Sequence, residues 1–202
     1  MFSYKTGMLF FDVAKAFDKV WHNSLLYKLY QFNVPDRLVL IIRDFLSDRT
    51  FRYRLDGTLS SPHPIRAGVP QGSVLAPLLF TLYTSDIPTH GKAQLALFAV
   101  DTAIYYTGSD LKSISRILQT TANRLGVWFR KWRIEVNPEK SAAVLFERHG
   151  DNHSRIPSVV MFGKEIPWEL SHKYLGVILD HHLSFRKHIK AVHARAAFVV
   201  GR

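Results

Sequence analysis

Apolar residues along the chain follow strand spacing in some segments and helical spacing in others. A short apolar run at residues 8–13 predicts a buried strand, and helical spacing after Asp12 predicts a strand-to-helix transition there. The same patterns predict further helices at residues 36–46, 74–83, 113–132 and from about 184. They predict further strands at residues 142–146, 159–162 and 174–179.

Turn-forming residues separate these elements. Asp56-Gly57 predicts a hairpin within residues 51–59, and Val100-Asp101 predicts a second one with an acidic tip. Asn137-Pro138 is expected to stop the chain before the strand at 142–146. This order of elements predicts an α+β fold, an antiparallel sheet with helices on one face.

The charge balance indicates an anionic partner for a chain that would otherwise be described only as a globular domain. Lys and Arg number 27 against 16 Asp and Glu, for a formal charge of +11. Such an excess favours nucleic acid. A small basic protein with solvated charges remains the alternative.

The composition also excludes several kinds of site. There is no cysteine, which rules out disulfides and thiolate zinc sites. The histidines near the end, His181, His182, His188 and His193, lack ligand-like spacing and are expected at the surface. Apolar stretches fall short of the roughly 20 residues of a membrane span, so we expect an intracellular protein with no membrane partner.

Two aspartates are candidates for metal binding. Asp12 lies in an apolar strand run, where an ionised carboxylate is costly unless it is paired, hydrogen-bonded or bound to a metal. It could instead cap the following helix. Asp101 lies in the acidic hairpin and offers an oxygen ligand suited to Mg²⁺, or is an ordinary turn residue.

The loop at residues 67–73, AGVPQGS, is the third candidate feature. Its glycines permit close approach of a substrate to the backbone, and its proline stiffens the loop. A purely structural turn is the alternative reading.

Five segments in order resemble the palm motifs of non-LTR (LINE-type, jockey-like) retrotransposon reverse transcriptases. They are residues 11–18 (FDVAKAFD), 68–80 (GVPQGSVLAPLLF), 98–101 (FAVD), 137–140 (NPEK) and 174–177 (YLGV). The resemblance implies the antiparallel-sheet palm of a right-hand polymerase with RNA-directed DNA polymerase activity. Its partners would be an RNA template, a DNA primer and deoxynucleoside triphosphates.

The resemblance also implies roles for particular residues. Asp12 and Asp101 would hold two Mg²⁺ ions, and Lys140 would protonate the leaving pyrophosphate. A second set would contact the incoming nucleotide: Val13, Ala14, Phe17, Gln71 and Gly72. Among these, Phe17 would crowd a ribose 2′-hydroxyl, and Gln71 would also meet the template. Tyr174, Leu175 and Gly176 would belong to a hairpin that supports the primer.

One departure from the family pattern bears on activity. Val100 stands where the family has the first of two adjacent aspartates, the one expected to bind the metals. Losing that ligand should cost several kcal/mol of transition-state stabilisation. We therefore expect an inactive or impaired polymerase. The alternatives are a non-catalytic remnant that binds nucleic acid and an intron-encoded maturase.

The extent of the match sets the expected domains. Residues 1–180 would form an N-terminally truncated palm with the fingers largely missing, and residues 181–202 the basic helical start of a thumb or tail. We expect a nuclear or cytoplasmic ribonucleoprotein. The oligomeric state stays open.

Overall fold

The computed structural model describes residues 4–89, 91–98, 101–148 and 155–200, with side chains up to residue 197. The chain divides into two compact units. The first contains Met1–Val13, Pro88–Val127 and Val136–Arg202, and the second contains Ala14–Ile87 and Trp128–Glu135. The predicted division into residues 1–180 and 181–202 concerns function, and it stays a prediction.

The helices and strands occur in groups along the chain. The helices are α1 (His22–Gln31), α2 (Asp36–Leu46), α3 (Leu75–Thr84), α4 (Leu111–Lys131) and α5 (Arg186–Val200), with a 3-10 helix at Ala16–Lys19. The strands are β1 (Lys5–Val13), β2 (Thr50–Phe51), β3 (Arg54–Leu55), β4 (Thr58–Leu59), β5 (His63–Pro64), β6 (Gln94–Phe98), β7 (Asp101–Gly108), β8 (Val136–Phe146), β9 (Val159–Met161), β10 (Lys164–Ile166), β11 (Trp168–Glu169), β12 (Ser171–Tyr174) and β13 (Val177–Asp180).

A five-stranded sheet organises the first unit. Its order is β11-β8-β1-β7-β6, and its neighbours are antiparallel except for the short β11–β8 pair. β1 lies at the centre because its residues 9–11 are apolar and buried, as a strand covered on both faces requires. The predicted α+β fold with an antiparallel sheet is confirmed.

Helix α4 covers one face of this sheet. Alternation along β1 places Gly7, Leu9 and Phe11 on that face, and Ile114 and Leu118 of the helix are fully buried. A Cβ at Gly7 would lie only 2.5 Å from Cγ2 of Ile114, so the close approach of helix and strand requires glycine there.

The opposite face of β1 is covered by the β12–β13 hairpin. The ring of Phe10 stacks on His172 at 4.7 Å between centroids and lies 5.2 Å from Tyr174. Phe10, Ala103 and Val144 form a small core beneath these rings. The strand predicted at 174–179 is therefore wrong in form: Leu175 and Gly176 adopt φ values of 47° and 82° and turn the chain back.

The segment after Asp12 differs from the prediction. β1 ends at Val13, as the strand predicted at residues 8–13 does, but the helical segment expected directly after Asp12 begins only with the 3-10 helix at Ala16–Lys19. Asp12 is not a helix cap, because the residue that precedes the 3-10 helix is Lys15, at φ 48°. Pairing with β7 up to Phe11 and with β8 up to Val13 keeps Asp12 in extended backbone.

Asn137-Pro138 also behaves differently from the prediction. The pair lies inside β8 rather than before it, and the pairing of β8 with β1 shifts register between Phe10 and Asp12. Proline is tolerated here because it lies at an irregularity in the ladder, where the absence of its N–H breaks no ladder hydrogen bond.

The second unit packs helices around a buried lysine. Nζ of Lys28 lies 3.8 Å from the ring centre of Trp132 and forms an ion pair of 2.5 Å with Asp86, which also accepts a hydrogen bond from Nε1 of Trp128. Burial lowers the pKa of Lys28, and Asp86 opposes that shift. The cost of the buried charge is thus offset by one carboxylate and by aromatic faces.

The β3–β4 hairpin and helix α3 also had predicted forms. The hairpin at Asp56-Gly57 is confirmed as β3–β4, with both turn residues at positive φ. Helix α3 is less buried than predicted, since Val74 before it is 94% exposed and Leu78 within it is 54% exposed. None of the helices in the described ranges combines the length and the apolar character needed to cross a membrane.

Candidate active site

Asp12 and Asp101 come from neighbouring central strands. The last paired residues of β1 and β7 are Phe11 and Thr102, and the same register places Asp12 opposite Asp101 one step further. Side chains opposite each other on an antiparallel pair share a face. Both aspartates are exposed at the edge of the face that carries Phe10.

A cavity of about 230 Å³ joins the two aspartates to basic residues. Its lining includes side chains from the sheet and from strand β12: Phe10, Asp12, Asp101, Thr102, Lys140, His172, Lys173 and Tyr174. The structure thus brings together Asp12, Asp101 and Lys140, which the sequence separates by as many as 128 positions. A polar cavity with both carboxylates and ammonium groups suits a ligand that is anionic and bound through a cation.

The irregularity in β8 positions Lys140 and steadies Asp12. The Asn137 side chain accepts the Glu139 N–H at 3.0 Å and closes a turn. The hydroxyl of Ser141 accepts the Asp12 N–H at 3.0 Å and donates to the Asn137 carbonyl at 2.7 Å. A serine hydroxyl thereby supplies the acceptor for the Asp12 amide where the regular ladder is interrupted.

Tyr174 closes one side of the cavity. Burial raises the pKa of its hydroxyl, and the nearby negative charge of Asp101 raises it further. The adjoining turn leaves Leu175 47% exposed. Tyr174, Leu175 and Gly176 therefore form a projecting hairpin beside the carboxylates, and their role at a primer stays a prediction.

The cavity's donor set fits a hard cation only in part. Asp12 and Asp101 offer carboxylate oxygens, and Mg²⁺ is commonly held by one or two carboxylates with waters and substrate phosphates. Within the described part of the chain there is no group of three or more potential metal-binding side chains. The two aspartates therefore fit Mg²⁺ held jointly with a substrate, and not a cage made by the protein alone.

Val100, the residue that departs from the family pattern, lies outside the described residues together with Ala99. The flanking strands are described, and Phe98 pairs with Asp101 across the hairpin. The predicted second hairpin is confirmed in its strands, with Asp101 as the first residue of β7.

A second set of predicted residues lines a cavity of its own in the second unit. Phe17, Gln71 and Gly72 line a space of about 310 Å³, with Ser73, Val74, Ala76 and Pro77. The ring of Phe17 packs on Phe80 at 4.8 Å between centroids. Nε2 of Gln71 donates to Asp18 at 2.7 Å, which orients the amide.

Backbone hydrogen bonds tie the glycine-rich loop to the 3-10 helix. The N–H of Gly68 donates to Val20 and that of Val69 donates to Phe17, both at 2.8 Å. Gly68 has φ 89°, and a Cβ there would lie 2.7 Å from the carbonyl oxygen of Asp18. Glycine at this position is therefore required both by the backbone angle and by the space.

Val13 and Ala14 lie at the end of β1, where the chain leaves the first unit. The N–H of Ala14 already donates to the Glu135 carbonyl at 2.9 Å. Whether these two residues contact a triphosphate stays a prediction, as do the nucleotide roles of Phe17, Gln71 and Gly72.

Sequence reasoning missed four residues around these cavities. Lys173 and His172 line the carboxylate cavity, Ser141 holds Asp12, and Asp18 holds Gln71. Lys173 and His172 directly precede the recognised segment at 174–177, and that adjacency was the available signal. The hydrogen bonds of Ser141 to Asp12 and of Asp18 to Gln71 join residues far apart in the sequence, so they cannot be predicted without the fold.

The likeness to known proteins agrees with these motifs. The family model described as reverse transcriptase (RNA-dependent DNA polymerase) matches residues 3–179. The chain is 38% identical over 188 residues to the RNA-directed DNA polymerase from the mobile element jockey of Drosophila melanogaster, covering 89% of this chain and 20% of that protein. It is 36% identical over 192 residues to the probable RNA-directed DNA polymerase from transposon X-element of the same species, covering 93% and 21%.

A solved structure shares the fold at low sequence identity. Apo telomerase from Candida tropicalis, truncated from its C-terminal domain, superposes with a TM-score of 0.57 at 14% identity, over 89% of this chain and 34% of that one. The chain spans about a fifth of the length of the curated relatives it matches. From the family match and the two mobile-element relatives, the chain belongs to the reverse transcriptase (RNA-dependent DNA polymerase) family, in its non-LTR retrotransposon branch.

Proposed function

We propose that this chain is the palm part of an RNA-directed DNA polymerase that extends a DNA primer on an RNA template. The observation that carries the proposal is the cavity shared by Asp12, Asp101 and Lys140. Two carboxylates and an ammonium group at one point are the donors needed to bind a triphosphate through Mg²⁺ and to neutralise its leaving group.

The cofactor would be Mg²⁺, since reverse transcriptases generally depend on it. We propose that Asp12 and Asp101 hold it, with two ions in a complete site. Held by these carboxylates, Mg²⁺ would supply activation of the primer 3′-hydroxyl for attack on the α-phosphate and stabilisation of the charge on the leaving oxygens. Lys140 would donate a proton to the pyrophosphate as it departs.

The second cavity would select the nucleotide. Phe17 would crowd a ribose 2′-hydroxyl and so favour deoxynucleotides. Gln71, oriented by Asp18, would present its remaining amide atoms to the incoming nucleotide and the template. The apolar packing of Phe17 on Phe80 would keep the ring in place, since a steric filter works only when its wall is rigid.

We propose that the chain is impaired as a polymerase because Val100 replaces a metal-binding carboxylate. Valine can neither ligate a cation nor neutralise two divalent charges, and loss of a ligand worth several kcal/mol slows turnover by orders of magnitude. In that case the second candidate function is nucleic-acid binding without turnover, which the formal charge of +11 favours. The setting would be a ribonucleoprotein, nuclear or cytoplasmic.

The decisive experiment is primer extension on an RNA template with Mg²⁺. Residues 8–180 replace the matching segment of a jockey-type relative, once with Val100 and once with Val100→Asp. We expect extension only from the Val100→Asp chimaera. Asp12→Asn in that chimaera serves as the control and should abolish extension again.

Two results would contradict the proposal in different ways. Comparable extension from the Val100 chimaera would show that this carboxylate is dispensable. Failure of the Val100→Asp chimaera to extend the primer, while the intact relative does, would show that the palm itself is not a working polymerase site.

A further inference from the structure

A basic cavity lies on the first unit, away from the candidate active site. It has a volume of about 300 Å³ and is lined by the loop before β6 and by helix α4: Gly91, Lys92, Arg116, Ile117, Thr120, Thr121 and Arg124. The side chains of Lys92, Arg116 and Arg124 are exposed. A Cβ at Gly91 would lie 3.5 Å from Nη1 of Arg124, so the guanidinium group reaches the loop.

All the charged side chains that line this cavity are positive. Helix α4 contains no Asp or Glu, and the cavity lining contains none either. In the described part of the chain, neither Lys92 nor Arg116 takes part in an ion pair. The lining of the cavity therefore carries three cationic side chains and no carboxylate, which favours an anionic ligand.

The charge of Arg116 does not stabilise helix α4. Lys112 and Arg116 stand four residues apart, where like charges repel by a few tenths of a kcal/mol, about 0.2–0.5. A cost of this kind is offset when an anion binds.

The cavity is separated from the carboxylates by the sheet. Ile114 and Leu118 turn one side of α4 to the face of β1 that carries Gly7, and Arg116, Thr120 and Arg124 follow the outer side. Asp12 lies on the other face, with Phe10. A nucleic-acid strand bound at Asp12 and Asp101 and a nucleic-acid strand bound at this cavity would thus lie on opposite sides of the same sheet.

The chemistry of the lining selects phosphate. Guanidinium groups present paired donors that match phosphate oxygens, and a lysine adds a mobile positive charge. The hydroxyls of Thr120 and Thr121 already donate to the helix carbonyls of Arg116 and Ile117, so the recognition would be by charge. Backbone recognition of this kind carries no sequence preference.

We propose that Lys92, Arg116 and Arg124 form a second nucleic-acid contact, which binds the phosphodiester backbone of a strand on the outer face of α4. It is independent of metal binding and of turnover at Asp12 and Asp101.

The test measures binding of a fluorescein-labelled 20-nucleotide oligo(dT) to the whole 202-residue chain over a range of KCl concentrations. Arg116→Gln with Arg124→Gln is compared with Arg37→Gln with Arg43→Gln, which removes the same charge from exposed positions of α2. Losing two phosphate contacts should weaken binding roughly ten-fold at 100 mM KCl and reduce the salt slope by about 1.4. The control pair should change the affinity less than two-fold, and Arg116→Lys with Arg124→Lys should retain most of the binding.

A second measurement locates the contact in the unaltered chain. Arginine modification by phenylglyoxal, mapped by mass spectrometry, should slow at Arg116 and Arg124 when oligo(dT) is bound and stay unchanged at Arg37. This readout does not depend on the variants folding.

The proposal is overturned by equal losses in the two arginine pairs or by absence of protection at Arg116 and Arg124. It is also overturned if a few millimolar inorganic phosphate displaces the oligonucleotide fully and a dinucleotide binds as tightly as the 20-mer, because the cavity would then hold a small anion and not a strand.

Discussion

Asp180 lies outside the candidate active site, and two opposing effects act on its carboxylate: burial and hydrogen bonding. It is buried, with 6% of its surface exposed. Its carboxylate accepts the N–H of Ser184 at 3.0 Å and the N–H of Phe185 at 2.8 Å. Burial opposes ionisation, but these donors and the Ser184 hydroxyl outweigh it and lower the pKa of Asp180.

Asp180 therefore predicts a pH dependence of stability. Because the folded pKa lies below the unfolded value of 3.8, the stabilisation is present above that pH and is lost as the pH falls through the folded pKa. Asp180→Asn should cost about 1–3 kcal/mol of unfolding free energy at pH 7, since one oxygen and the charge are lost. As the pH falls below 3.8 and through the folded pKa, the difference between the variant and the original chain should narrow.

Urea unfolding between pH 2 and 7 measures this difference. Asp48→Asn, at an exposed loop position, is the control and should change stability by less than about 0.5 kcal/mol. A constant gap between Asp180→Asn and the original chain across the pH range would show that the carboxylate is not what stabilises this turn.

At the scale of elements, the connection between the glycine-rich loop and the 3-10 helix holds the candidate nucleotide cavity together. Two backbone hydrogen bonds and the narrow space at Gly68 place Phe17 and Gln71 on the same cavity. The sequence predicted a stiff loop with glycines. It did not predict which glycine is needed for space, because that depends on the backbone of Asp18.

Gly68 and Gly72 provide a matched pair for this point. Both have positive φ, 89° and 86°, but only Gly68 has backbone atoms within 4 Å of an added Cβ. Gly72→Ala should cost roughly 1 kcal/mol from backbone strain alone. Gly68→Ala should cost at least about 2 kcal/mol more, because the methyl group meets backbone that cannot shift freely.

Thermal or urea unfolding of the two variants compares these costs directly. Equal destabilisation would mean that strain at positive φ explains both positions and that the loop does not pack closely on the 3-10 helix.

At the scale of the whole molecule, the chain combines a formal charge of +11 with only two described carboxylates at the candidate metal site. A ligand that binds the folded chain and not the unfolded one raises its stability by mass action. Metal binding is therefore measurable without turnover.

The Val100→Asp chain should gain thermal stability from Mg²⁺. At ten times Kd the gain is about 1.4 kcal/mol, or about 3–6 °C in Tm for a domain of this size. The original chain should shift by less than half as much, and Asp12→Asn in the Val100→Asp chain should remove the gain. NaCl at equal ionic strength is the control; an equal shift in all three chains would mean that Mg²⁺ acts through general screening of charge and not at Asp12.

The sequence by itself determined the family, the α+β order, the two central strands and the identity of Asp12, Asp101 and Lys140 as candidates. These follow from local signals, namely apolar runs, turn residues and short ordered motifs, which need no knowledge of distant neighbours. Its mistakes after Asp12 and at Asn137-Pro138 came where strand pairing overrode the local preference for a helix or a stop. At residues 174–179 it missed the turn at Leu175-Gly176 that separates two paired strands.

Only the tertiary structure decided which residues share a cavity. Ser141 meets Asp12 across 129 positions, Gln71 meets Asp18 across 53, and Lys173 joins the carboxylates through a hairpin laid on Phe10. It also separated the basic side of α4 from the carboxylates by a sheet. Such contacts arise from register and layer packing, which are set by the whole chain at once and leave no mark in any short segment.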